Sequence, residues 1–102
     1  MTPVEIALPL IQKYEGYSEK PYLCPAGRAT IGWGTTVYPN GLRVTMKDPP
    51  CTKEQAQEWL VWAATRCEKT VDRLVDVPLN ANQTAALISF VYNLGSVNLS
   101  AS

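Results

Sequence analysis

A chain of 102 residues has room for one small domain, and 46% hydrophobic against 18% charged residues is the composition of a core-forming protein, not of a disordered tail. Nine basic and nine acidic residues give zero formal charge without runs of one sign, which argues against a nucleic-acid footprint. Three cysteines with no Cys-x-x-Cys pair, and no histidine, argue against a zinc site.

An odd number of thiols cannot make a complete disulfide framework, so at least one is expected free, and Cys51 can pair with Cys67 only if the fold brings them close. Near the N-terminus Glu5 interrupts apolar stretches too short for a signal peptide or a membrane span. Thr2-Pro3-Val4-Glu5 reads as a helix start, with a hydroxyl cap, proline at the first helical position and a glutamate that reaches back. Val4, Ala7, Leu8, Ile11 and Tyr14 then recur at helical spacing. Pro9 lacks the N–H the helix needs, which predicts a bend or a late start, and Gly16 ends the helix in the left-handed conformation.

Residues 22–24 and 28–32 read as two short strands joined by a turn over Cys24-Pro25-Ala26-Gly27. A third strand is expected over 42–46, after the turn Pro39-Asn40-Gly41. Thr52 and Gln55 form a second capping box, from which Ala56, Trp59, Leu60, Ala63, Cys67, Val71 and Leu74 mark one face of a long helix ending before Pro78. Asn80 caps a third helix, apolar nearly all round over 85–94 and closed by Gly95; residues 96–102 read as a loop and the cap of a further helix. A helix apolar on every side needs partners, so self-association covering 81–94 is one expectation.

The chemistry gathers between Glu15 and Thr30. A carboxylate at a helix end, followed by a tight hairpin, lets Glu15, Cys24 and Thr30 meet across a groove from separate elements. Each has a plainer reading: a solvated carboxylate, a small buried thiol, an ordinary strand residue. Trp59 and Trp62 read as packing residues, Cys51 and Cys67 as structural or inert, and Trp33 as either a core plug or a groove wall.

The spacing of Glu15, eight residues, Cys24, five residues, Thr30, followed by Ile31-Gly32-Trp33-Gly34, resembles the signature of the phage-type lysozymes, the endolysins of glycoside hydrolase family 24. The likeness continues through 52–56 and 86–95. It implies an α+β, lysozyme-like fold in which a small three-stranded antiparallel sheet lobe is joined by a long helix to a truncated helical lobe. Residues 1–102 would then be a single domain, incomplete at its C-terminus because family members continue for several more helices.

The implied activity is that of a muramidase, hydrolysing the bond between N-acetylmuramic acid and N-acetylglucosamine in peptidoglycan for host lysis. It needs no cofactor and no metal, engages neither nucleic acid nor a membrane anchor, and is held in the host cytoplasm until released to the wall. Glu15 is the implied acid, kept protonated by apolar neighbours such as Tyr14 and Ile31. Cys24 stands where many members carry aspartate, and Thr30 holds the attacking water or the intermediate by its hydroxyl. Tyr17, Tyr22 and Trp33 offer faces to sugar rings, Gly32 and Gly34 let a polymer approach the backbone, and Arg28 meets an acidic peptide stem. Thr35 replaces a histidine frequent in the family. Competing functions are a non-catalytic peptidoglycan-binding module and a lytic transglycosylase.

Overall fold

Local capping fixes where each helix begins. In the computed structural model, which describes residues 1–98 and side chains through 94, the Thr2 hydroxyl accepts from Glu5 N–H while the Glu5 carboxylate accepts from Thr2 N–H, opening α1 (Pro3–Glu15). The same reciprocal pair recurs between Thr52 and Gln55 at α2 (Lys53–Leu74) and between Asn80 and Gln83 at α3 (Ala81–Asn98).

Two expectations about the helices are corrected. α1 starts at Pro3, so the late start is overturned, and it continues past Pro9, held by its cap and by the buried Ala7 and Ile11. Gly95 lies inside α3 and not at its end: a glycine costs a helix about 1 kcal/mol against alanine and permits a stop without enforcing one. Residues 99–102, the rest of the expected loop, lie outside the described residues.

Between α1 and α2, β1 (Ser18–Leu23) pairs antiparallel with β2 (Ala29–Gly32). The register slips between Ser18 and Tyr22, where β1 contains Pro21, which has no N–H to give the ladder. Among the described residues the sheet has two strands, so the third strand expected over 42–46 is not one. That segment makes an isolated bridge between Val37 and Arg43, and only Val44 is buried. The Asp48 carboxylate gathers Thr45 N–H, Thr45 Oγ1 and Tyr38 Oη at 2.6 to 3.0 Å, giving the loop side-chain partners in place of a ladder.

Two apolar clusters result. Ala7, Ile11, Leu60, Ala64, Val71, Ala85, Ile88 and Tyr92 join the three helices, and Ile31, Val44, Cys51 and Ala56 lie under the hairpin and its loop. α2 serves both, as expected of the connecting helix, and Trp33 packs against both. The inward face of α2 is Ala56, Leu60, Ala64 and Val71, whereas Leu74 at its end is 69% exposed.

Candidate active site

Glu15 is the last residue of α1. Gly16 follows with φ 72 and ψ 175, and its N–H bonds Gln12 O at 2.9 Å. That backbone is reserved to glycine, though extended in ψ and not the left-handed helical stop expected, and it turns the chain directly from α1 into β1. Glu15 is half-buried with its carboxyl against the backbone of Gly34: a Cβ added there would stand 2.9 Å from Glu15 Cδ and Oε2. The second glycine of Gly32-Trp33-Gly34 therefore makes room for the acid.

The hairpin brings the other groups. Tyr22 is the cross-strand partner of Thr30, and just beyond β1 the Cys24 N–H donates to Arg28 O at 3.0 Å, carrying the ladder to the turn. Gly27 N–H closes that turn on Cys24 O at 2.8 Å. Cross-strand partners project to one side of a sheet, as do residues two apart along a strand, so Tyr22, Cys24, Arg28 and Thr30 share a face.

Burial disfavours ionising the Cys24 thiol. The N–H groups of Arg28 and Ala26 and the Thr30 hydroxyl, all within hydrogen-bond reach of the sulfur, outweigh it and hold the thiol below its ordinary pKa. Thr30 is 3% exposed and its hydroxyl donates to Arg28 O at 3.0 Å. Its one proton can serve that carbonyl or the sulfur, not both at once. Tyr22 links this face to α1: burial first, then the negative charges of Glu15 and Cys24, raise its phenol above the ordinary tyrosine pKa. Tyr22 is thus cross-strand from Thr30 and within the electrostatic reach of Glu15 and Cys24.

Of the residues expected to touch a sugar, Tyr17 and Trp33 pack on each other with ring centroids 5.0 Å apart, and the Lys53 ammonium lies 5.5 Å from the Tyr17 ring centroid. Arg28 is half-buried on the hairpin face. Gly32 packs on α2. A Cβ there would come 3.0 Å from Ala56 Cβ, so the space left by its missing side chain is taken up by α2.

One neighbour of the site, Tyr92, went unrecognised in the sequence, and Thr35, noted there only for the histidine it replaces, is another. Tyr92, on α3, is 7% exposed and donates its hydroxyl to Trp33 O at 2.8 Å; burial, then the Glu15 charge, push its phenol pKa upward. The polar pair Tyr92-Asn93 inside an otherwise apolar helix was the available signal. Thr35, 3% exposed, lies beside the Tyr92 phenol and favours its ionised form. Thr35 Oγ1 is buried and has no hydrogen-bond partner among the described residues. Thr35 lines a cavity of about 290 Å³ with Trp62, Arg66, Cys67 and Tyr92. Glu15, Cys24 and Thr30 line neither this cavity nor a second concavity bounded by Tyr38, Asp48 and Trp59. All three cysteines are free thiols, so Cys51 and Cys67 are not paired.

Comparison with known proteins gives the class. Residues 12–102 match the family model for phage lysozyme. The endolysin of Acyrthosiphon pisum secondary endosymbiont phage 1 is 36% identical over 91 residues, which cover 89% of this chain and 58% of that protein. The solved endolysin from Escherichia coli O157:H7 phage FAHEc1 superposes with a TM-score of 0.80 at 31% identity, over 100% of this chain and 63% of that one. The muramidase domain of SpmX from Asticaccaulis excentricus superposes with a TM-score of 0.68 at 30% identity, over 98% of this chain and 61% of that one. The chain belongs to the phage lysozyme family and spans roughly three-fifths of the length of these relatives.

Proposed function

We propose that the chain carries the catalytic groups of an endolysin muramidase, which hydrolyses the glycosidic bond between N-acetylmuramic acid and N-acetylglucosamine in peptidoglycan. What supports the reading is one observation: Tyr22, paired with Thr30 in the hairpin register, feels the charge of both Glu15 and Cys24. Glu15 gives its proton to the departing sugar oxygen. Cys24, with its thiolate favoured, stabilises or bonds the oxocarbenium-like centre, and Thr30 holds the water or the intermediate. The enzyme works on the wall after release from the cytoplasm of the host, and no helix among the described residues is long and apolar enough to cross a membrane.

The test is clearing of outer-membrane-stripped Gram-negative cells together with release of reducing ends. Glu15→Gln should remove both activities. Cys24→Ala should lose most of the activity and Cys24→Asp should keep a measurable part of it. Equal clearing by the wild type and Glu15→Gln would take the acid role from Glu15. Anhydro-sugar products would make the enzyme a transglycosylase, and wall binding without reducing ends would leave only a binding module.

A further inference from the structure

Five tyrosines occur in the chain, and their surroundings differ in kind. Tyr17, Tyr38 and Tyr92 pack into the apolar clusters; Tyr22, although half-buried, belongs to neither. Tyr38 gives its hydroxyl proton to Asp48 Oδ2 at 2.6 Å and Tyr92 gives its own to Trp33 O at 2.8 Å. Among the described residues the Tyr22 hydroxyl makes no such internal bond. It is set by the hairpin register directly across from Thr30 and two residues before Cys24, on the face that Arg28 shares. Glu15 from α1 and Cys24 from the hairpin act on it electrostatically, and it acts in turn on Tyr92 of α3.

We infer that Tyr22 is a positioning residue of this site: its phenol O–H is the donor that orients an oxygen atom held between Glu15 and Cys24, a water or a sugar hydroxyl. The inference rests on the muramidase reading for its catalytic consequence and on the hairpin geometry for its placement. Burial first, then the charges of Glu15 and Cys24, disfavour phenolate at Tyr22, so the phenol keeps its proton and is a donor. The Glu15 proton is committed to the departing sugar oxygen, and once it has been given up the carboxylate, like a Cys24 thiolate, only accepts hydrogen bonds, so the donor to a third oxygen has to be another group. A ring that merely offered a stacking face to sugar would not need the hydroxyl.

Tyr22→Phe keeps the ring and deletes the donor. The expected result is a clearing rate lowered roughly tenfold or more, with pelleting on purified peptidoglycan changed less than about twofold and an unaltered melting temperature. Full clearing by Tyr22→Phe would overturn the proposal, and equal losses of clearing and pelleting would make Tyr22 a binding face only. A second measurement needs no activity. With ring-carbon-labelled tyrosine, the NMR titration of Tyr22 should lie above that of free tyrosine in the wild type and fall in both Glu15→Gln and Cys24→Ala. If the wild type fails to clear cells but the titration behaves so, the muramidase reading fails and the placement stands. If neither substitution moves the Tyr22 titration, the placement itself is wrong.

Discussion

At the scale of single residues, the two glycines that flank the acid have opposite sensitivities. Gly34 has φ 85 and its missing Cβ would stand 2.9 Å from Glu15 Cδ, whereas Gly16 has φ 72 and a methyl added there would meet nothing within 4 Å. Both alanine substitutions strain the backbone by about 1 to 3 kcal/mol, so both should lower the melting temperature. Only Gly34→Ala also pushes the carboxyl from its place, and it should lose clearing activity about tenfold further than Gly16→Ala does. Activity per folded molecule, compared between the two variants, checks this. The cysteines separate in the same way. The Cys24 thiol sits below the ordinary value, whereas burial pushes the Cys67 thiol up to about 11 and Cys51 is 5% exposed. Site-resolved alkylation against pH should label Cys24 first, with its midpoint at the lowest pH. Because the fold favours neutral Cys67, the stability it contributes is complete below its ordinary pKa of 9.0 and is lost as pH rises from there through about 11. Cys67→Ala should flatten that alkaline loss in a series of thermal melts.

At the scale of elements, the sequence was most legible where a structure is decided within four residues. The caps Thr2 with Glu5, Thr52 with Gln55, and Asn80 each place a helix start, and Cys24-Pro25-Ala26-Gly27 places the hairpin turn, because donor and acceptor lie in one short segment. Legibility failed where the deciding partner is remote in sequence. Nothing near residues 42–46 shows that Asp48 will satisfy Thr45 and Tyr38 and leave a bridge instead of a strand. Nothing around Gly32 shows that Ala56 will lie against it, or around Tyr92 that its hydroxyl will reach back 59 positions to Trp33 O. Glu15, Cys24 and Thr30 stood out from their spacing, and the polar use of Tyr22 did not, since it follows from a register. The Gly32 contact carries its own prediction: with φ 65 and Ala56 Cβ 3.0 Å from the added methyl, Gly32→Ala should cost about 2 kcal/mol and loosen the hairpin from α2. Chemical denaturation would read the loss, and a variant as stable as the wild type would show that the hairpin can shift away from α2 without cost.

At the scale of the whole molecule, α3 has two sides of unlike character. Ala85, Ile88 and Tyr92 are buried against α1 and α2, while Phe90 and Leu94, one helical turn apart on the opposite side, are 58% and 39% exposed. An aromatic and an aliphatic side chain left side by side in water gain about 25 cal/mol for each Å² they hide, and in the 102-residue chain a second copy presents the same stripe. We therefore expect the chain to associate in a concentration-dependent manner through the outer side of α3. Light scattering coupled to size exclusion should give a mass that rises with loading. Phe90→Ser and Leu94→Ser should each return it towards the monomer while leaving the melting temperature within about 2 °C, because neither side chain belongs to the three-helix cluster. A mass that stays monomeric at every loading, in the wild type as in the variants, would mean that this stripe is tolerated in water and that association through 81–94 does not occur.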